Sequence, residues 1–345
     1  MRILQVDSGR EWRGGQNQVR LLCRELAQIP DVEQILVTKQ DSELARRAAA
    51  AGVTVLGTAW EIGLDPRAWW HLRRTISSFQ PDVIHVHDSH ALTLAATVAL
   101  GRTLVATRRV DFHVGRFGAW RRPDRIIAVS EAVKAVLGGD GIAADAISVV
   151  VDGIDPDEIR QAASAAPPLD MRAQLRLSPK ALLAVNAAAL VDHKDHKTLI
   201  RAARIARPLE PLLHWVIAGE GPQREALAAE ITRHDLQGRV HLVGWIDRIE
   251  ALIAEANVFV MSSKLEGLGS VILTALALGR PVVATAAGGI PEILPPEVLV
   301  PPGSADALAH KVVAAVHEPK AVPLPPRFTA RSMAGQVLDV YRALL

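Results

Sequence analysis

Along this chain, short runs rich in Val, Ile and Leu alternate with stretches of amphipathic helical period, and that rhythm constrains the fold more than any other feature. In the first half the candidate strands are 3–6, 34–38, 53–56, 83–87, 104–107, 125–129 and 148–151, with helix-like stretches at 16–29, 42–51, 66–79 and 131–137. Such alternation predicts right-handed βαβ units and a parallel sheet covered by helices on both faces. An Ala- and Pro-rich stretch at 162–169 has no periodicity and reads as a linker. The rhythm then restarts, with strands at 182–187, 214–218, 240–243, 258–261, 282–285 and 298–300. Helices are expected at about 196–206, 222–234, 248–255, 270–278 and 304–317, and a last amphipathic stretch runs from 330 to 344. The expected fold class is α/β, two doubly wound Rossmann-like domains over 1–165 and 166–327. Their ligands should lie at the carboxyl ends of the strands.

Length and composition agree with two domains. The chain has 345 residues, 49% of them apolar, enough to fill two cores. A formal net charge of +2 gives no reason to expect nucleic acid as a partner. The single Cys23 excludes an internal disulfide and a Cys-based zinc site, and fits a cytoplasmic protein. The N-terminus meets Asp7 after a short apolar run, so a first strand is expected there and not a signal peptide. No apolar stretch is long enough to span a bilayer, so the expectation is a soluble protein, at most peripheral on the cytoplasmic membrane face.

Two strand-to-helix loops carry chemistry. The first, Ser8 to Gly15, ends in paired glycines that let backbone approach a ligand, followed by a helix N-terminus that favours an anion. A plain flexible turn explains it equally well. The second lies in the block 262–285, which reads strand, Gly-rich loop, helix, turn, strand. There Gly267 and Gly269 expose amides where a helix begins, which suits a diphosphate. Glu266 in that loop can accept hydrogen bonds from sugar hydroxyls, or can merely cap the helix.

In order along the chain, Gly14-Gly15, Pro81–His87, Ile126–Glu131, Gly153-Ile154-Asp155, Leu190–Lys194, Ala218–Pro222, Val243-Gly244, the 262–285 block and Gly288–Glu292 resemble the family-four retaining glycosyltransferases, group 1, of GT-B architecture. The resemblance covers nearly the whole chain. It implies two Rossmann-like domains facing across a cleft, an acceptor domain first and a donor domain second, with residues 328–345 returning to the N-domain as a helix. It implies that Glu266 holds the donor sugar as the first acid of an E-x7-E motif. Gly267, Leu268, Gly269 and Ser270 would meet the donor through their amides, Lys194 would neutralise the diphosphate, and Gly14 and Gly15 would close over the same phosphates. Three positions depart from the pattern. The second acid of E-x7-E is Thr274, which offers one hydroxyl where a carboxylate binds ribose. Ala189 stands where an Arg usually precedes Leu190. The N-domain His expected after the fifth strand is Arg109, with His113 four residues on. Arg109 can stabilise developing phosphate charge, or Arg108 and Arg109 form a solvated basic loop.

Other motifs read as structural. Asp155-Pro156-Asp157 spells a metal-binding DxD but follows a turn, so an acidic helix start is expected. His85 and His87 share a strand face with no third ligand in view, and His193 and His196 flank Lys194 where positioning the chain or reaching a phosphate is expected, so no metal site is assigned. Trp245, just after Gly244, can flank the donor's base, but a buried core residue is the expected reading. Asp65-Pro66 opens a helix whose Trp69, Leu72, Ile76 and Phe79 should pack on the sheet, leaving Arg67, Trp70 and Arg74 outward. With Arg116 and Trp120 from a later basic-aromatic segment, these residues suit an acceptor or anionic-membrane face, though a solvated surface explains them equally well.

The resemblance therefore implies transfer of a sugar from a nucleoside-diphosphate sugar to a hydroxyl of a glycan or lipid-linked acceptor, with retention, no cofactor and no essential metal. Cell-envelope polysaccharide, lipopolysaccharide or glycolipid synthesis is the expected setting. A sugar-nucleotide epimerase on the same architecture and a non-catalytic donor-binding relative are the alternatives; Thr274 and Ala189 motivate the second.

Overall fold

The structure, a computed structural model, describes residues 1–345 except Ile62, Gly63, Leu100, Arg116 and Ala166. It divides into two compact units, Met1–Ile154 with Pro326–Leu345, and Asp155–Pro325. Each is built on one parallel sheet, as the alternation predicts.

In the first unit the strands are β1 (Arg2–Asp7), β2 (Glu33–Lys39), β3 (Val55–Thr58), β4 (Val83–Val86), β5 (Thr103–Arg108), β6 (Arg125–Ala128) and β7 (Ile147–Val149). They lie in the order β3-β2-β1-β4-β5-β6-β7, all parallel. Ile3 of β1 pairs with Gln34 on one side and Val83 on the other. Chain order reverses between β1 and β4, which makes their carboxyl ends the switch point of this sheet. The helices are α1 (Gly14–Leu26), α2 (Glu43–Ala50), α3 (Pro66–Phe79), α4 (Ser89–Val98) and α5 (Glu131–Gly139). Side chains at their starts stop the chain where the pattern changes: Ser42, Asp65, Asp88 and Ser130 each accept from an amide in the following first turn.

The second unit holds α6 (Pro156–Ser164), α7 (Met171–Gln174), β8 (Leu182–Ala187), α8 (His196–Ala206), β9 (Leu213–Ala218), α9 (Arg224–Arg233), β10 (Val240–Gly244), α10 (Ile249–Ala254), β11 (Val258–Met261), α11 (Val271–Ala277), β12 (Val282–Thr285), β13 (Leu299–Val300) and α12 (Ala305–His317). Its sheet runs β10-β9-β8-β11-β12-β13, so the switch point falls between β8 and β11. The domain boundary expected after residue 165 differs from this division. The helix α6 packs on α10 and α11, which places it in the second unit, and Asp155 caps it by accepting from the amides of Asp157 and Glu158 at 3.0 Å. The Asp155-Pro156-Asp157 motif is thus a helix start.

The last helix, α13 (Ala330–Arg342), belongs to the first unit. Met333, Ala334, Val337, Leu338 and Tyr341 pack against Leu21, Leu22 and Leu26 of α1. Burial of each large side chain of this kind contributes about 1.5–3 kcal/mol. Just before it, Ile154 forms a parallel bridge with Thr329, and no Cβ fits at Gly153, where it would lie 2.4 Å from the Thr329 carbonyl oxygen. Among the described residues no helix is long and apolar enough to cross a membrane.

Candidate active site

In the second unit the loops after β8 and β11 meet at the switch point. The β8 loop is seated by two glycines after β9. A Cβ on Gly219 would lie 2.0 Å from the Ala188 carbonyl oxygen, and one on Gly221 2.5 Å from that of Leu190. The loop then makes a single tight turn, Asp192–Lys194, and Asp195, in the left-handed conformation at φ 48°, opens α8. Three bonds tie it to the β11 loop. The Lys264 amide donates to the His193 carbonyl at 2.8 Å, Ser262 Oγ donates to the Lys194 carbonyl at 3.0 Å, and Lys264 Nζ lies 3.2 Å from Asp195 Oδ1.

Held this way, Lys194 Nζ donates to Glu266 Oε2 in a largely buried ion pair, and Ser263 Oγ donates to the same carboxylate oxygen at 3.2 Å. The Glu266 backbone is fixed as well, because its carbonyl accepts from the Gly289 amide at 3.1 Å. Gly288, at φ +50°, leaves no room for a Cβ against that carbonyl, so the Gly288-Gly289 turn is a backbone requirement. Glu266 and Lys194, 72 positions apart in sequence, are thus brought together with Gly267–Ser270 beside them. Leu268 is buried, Gly269 is left-handed at φ +86°, and Ser270 leads into α11, which carries the half-buried Thr274.

Beside Lys194, His196 is tied into the core. His196 is buried, its Nε2 3.1 Å from Asn186 Oδ1, and burial with the nearby Lys194 charge pushes its pKa down to about 4. No group of three or more His, Cys, Asp or Glu able to hold a metal occurs among the described residues. Trp245 is not the buried core residue expected. Gly244, at φ +75°, ends β10, and the indole that follows is 55% exposed, its Nε1 donating to Asp247 at 2.7 Å.

In the first unit the corresponding strand ends hold buried polar groups. Asp88 accepts from the Ser8 amide (2.7 Å), Ser8 Oγ (2.6 Å) and the amides of His90 and Ala91 (both 2.9 Å). Asp7 accepts from the Gly9 amide at 2.8 Å; burial, reinforced by the Asp88 carboxylate, pushes its pKa up to about 6. His85 bridges Tyr341 Oη (2.6 Å) and Thr107 Oγ1 (2.7 Å), and His87 Nε2 lies 2.8 Å from Gln5 Oε1. Burial holds both imidazoles well below the usual range. These histidines belong to the core of the sheet.

Arg109 turns inward beside this cluster, its side chain 15% exposed and its Nε 3.4 Å from Asp152 Oδ1. Arg108 is also buried, donating to the Phe112 carbonyl at 2.6 Å and stacking over Trp120 at 4.8 Å. The solvated-loop alternative for these two arginines therefore does not describe the molecule. His113 stays outside the cluster: its side chain is 80% exposed and bonded to Asp140 at 2.7 Å. Gly14 and Gly15 form the first turn of α1, and Gly15 sits over Arg109, whose Cδ would be 3.8 Å from a Cβ there.

The expected outer face is only partly present. On α3, Leu72, Ile76 and Phe79 are buried and Trp69 half-buried, whereas Arg67, Trp70 and Arg74 point outward, as the helical spacing predicts. Trp70 is 58% exposed with the Arg74 guanidinium over its ring at 5.4 Å, and Arg67 pairs with its own cap, Asp65, at 2.9 Å. Trp120 packs half-buried on the core beneath Arg108 and does not extend this face. Arg116 lies outside the described residues.

Sequence reasoning missed Asp7, Asp88 and Asp152. Asp88 had a local signal, an acid between a strand and a helix, which is the N-cap position. Asp152 is recognisable only by a partner far away in sequence, and Asp7 by its burial beside Asp88.

The sequence matches the family described as Glycosyltransferase Family 4 over residues 12–158 and that described as Glycosyl transferases group 1 over residues 169–331. It is 38% identical over 118 residues to the lipopolysaccharide core biosynthesis glycosyltransferase LpsE of Rhizobium meliloti, a stretch that is 34% of each chain. It is 30% identical over 256 residues to the amylovoran biosynthesis glycosyltransferase AmsK of Erwinia amylovora, covering 67% of this chain and 60% of that one. The chain thus spans about a third to three fifths of the length of these relatives. The crystal structure of Anabaena HepE in complex with UDP-glucose superposes with a TM-score of 0.83 at 20% identity, over 99% of this chain and 100% of that one, which establishes a shared fold. With two parallel doubly wound sheets, two adjacent family matches and these relatives, the chain belongs to the group 1 glycosyltransferases of GT-B architecture.

Proposed function

We propose that this chain is a retaining glycosyltransferase that moves a sugar from a nucleoside-diphosphate sugar to an acceptor hydroxyl in cell-envelope polysaccharide, lipopolysaccharide or glycolipid synthesis. The observation that carries this reading is the Lys194–Glu266 pair, set by loop bonds at the switch point of the second sheet. A lysine there meets the charge that develops on a leaving diphosphate, and the adjacent carboxylate accepts from sugar hydroxyls. A bound diphosphate competes with Glu266 for Lys194, which frees that carboxylate for the sugar. The Gly-rich loop after β11 adds backbone dipoles at the start of α11, so protein groups meet the diphosphate in this reading and no metal or cofactor is invoked. The names of LpsE and AmsK and the UDP-glucose in the HepE complex support this class of reaction. Incubation with UDP-, GDP- and ADP-sugars, with and without a glycan or lipid-linked acceptor, tests it. A product that keeps the donor's anomeric configuration is expected. An inverted product would refute retention, and a changed sugar nucleotide with donor alone would establish an epimerase instead.

We place the acceptor step on the cytoplasmic membrane face, through the α3 surface. The exposed Trp70 with Arg74 over its ring combines an interfacial aromatic with a cation, as anionic headgroups require. Wild type should sediment with anionic vesicles at low salt and release at high salt, and Trp70→Ser/Arg74→Glu should not sediment. Failure of wild type to bind at low salt would assign the acceptor to solution.

A further inference from the structure

The first unit contains a buried ion pair whose two members have very different freedom. Asp152 is held in place by the two residues that follow it. The next residue, Gly153, donates its amide to Gln18 Oε1 of α1 at 3.1 Å, and the Ile154 amide donates to the Phe328 carbonyl at 2.9 Å just before α13. The Asp152 carboxylate, 8% exposed, is therefore a fixed point, and burial raises its pKa while the Arg109 charge opposes that rise. Arg109, by contrast, is a long side chain on the loop after β5. Its Nε reaches to 3.4 Å from Asp152 without the alignment of a hydrogen bond, and its Nη1 donates to the His87 carbonyl at 3.5 Å. The ion pair is thus a Coulombic tether, and the aliphatic stem of Arg109 passes under Gly15 in the first turn of α1, its Cδ 3.8 Å from where a Cβ there would lie. The other titratable groups whose charge is coupled to it are Asp7 on β1 and His85 and His87 on and just beyond β4.

We propose that Asp152 is a positioning residue that anchors the Arg109 side chain, whose stem lies beneath Gly15, so that a permanent cation is presented beside the first turn of α1 to an anionic phosphate group. Resting on the transferase reading, the anion is a phosphate group of a substrate of that reaction. The chemistry needs only a phosphate dianion meeting an arginine held in place. A guanidinium that lost Asp152 would keep its charge but not its position, and a carboxylate that lost Arg109 would be buried unpaired.

A double-mutant cycle on the full chain tests this, using Asp152→Asn, Arg109→Ala and the two together. It is read by turnover with the accepted nucleotide sugar and by the rise in melting temperature on adding inorganic pyrophosphate. The second readout works even if the chain transfers no sugar. Each single variant should lower kcat/KM about tenfold or more and reduce the pyrophosphate response. Asp152→Asn should cost nothing further in the Arg109→Ala background, because Asp152 acts only through that side chain. Arg109→Lys, which keeps a cation within reach of Asp152, should retain more of the pyrophosphate response than Arg109→Ala. That comparison stands even if Asp152→Asn fails to fold. Equal losses from Asp152→Asn in both backgrounds would make it a merely structural residue and overturn the proposal. So would a pyrophosphate response that is absent in wild type or the same in all variants.

Discussion

At the carboxyl ends of β1 and β4 in the first unit, the acids are already hydrogen-bonded to the protein: Asp88 accepts from four donors and Asp7 from the Gly9 amide, with Arg109 tied to Asp152 behind them. At the carboxyl ends of β8 and β11 in the second unit, the charged groups answer mainly to each other, Lys194 to Glu266, between loops whose glycines keep backbone close by. The two sheets share the same reversal of strand order, so the difference is one of side chains and not of topology. The first switch point holds its acids on loop and strand-end donors and keeps Arg109 as the cation beside them; the second holds a cation and an anion against each other.

The comparison breaks most visibly at Lys194. Lys194→Ala removes a preorganised cation that matters most as the diphosphate departs, so kcat should fall by roughly 10²–10³, about 2.7–4 kcal/mol of barrier. Steady-state kinetics check this, and full activity would move the site elsewhere.

The next largest effect lies in the first unit and concerns stability. Asp7 has a folded pKa of about 6 against an ordinary 3.8. Between those values the native state binds more protons than the unfolded one, so stability falls as pH rises through that window, and the loss is complete above it. Asp7→Asn removes the buried charge while keeping an oxygen for the Gly9 amide. At pH 7.5 it should stabilise the chain by roughly 1–3 kcal/mol, an advantage that vanishes below about pH 4. Melting curves across that range decide it, and a variant less stable than wild type at pH 7.5 would show the charge to be required.

A smaller effect is expected at Thr274, half-buried on α11. Thr274→Glu supplies a second carboxylate, as the E-x7-E pattern has it, and should tighten nucleoside diphosphate binding by about 1 kcal/mol or less, of the order of one added hydrogen bond. Calorimetry with UDP, GDP and ADP measures it. Weakened binding of every nucleotide would mean that another group already meets the ribose.

Much of this organisation was legible in the sequence, for physical reasons that differ by element. The strands β8, β11 and β12 stand at the predicted bounds because buried parallel strands are continuous apolar runs with sharp ends. The helix α3 was delimited by Asp65-Pro66 and by its apolar stripe. The helix α4 was missed because Ala91, Leu92, Leu94, Ala95 and Val98 bury most of its surface and leave little polar face to reveal a period. Glu266 and Lys194 were found through glycine-rich loops and family resemblance, both of which are local in sequence. Asp152 was not, since nothing near it in sequence announces Arg109 as its partner. Trp245 was misplaced because its exposure follows from the left-handed Gly244, a backbone choice that composition does not display.

Nucleotide-dependent stabilisation tests the central claim, a donor site built on Lys194 and Glu266, most directly. Melting temperatures of wild type and Lys194→Ala should be compared with UDP, GDP and ADP at saturating concentration. A nucleotide at about 100 times its Kd stabilises the native state by about 2.7 kcal/mol. A clear rise is expected in wild type with at least one of these nucleotides, and a rise reduced by more than half in Lys194→Ala. Equal stabilisation of both proteins by the same nucleotide would contradict it.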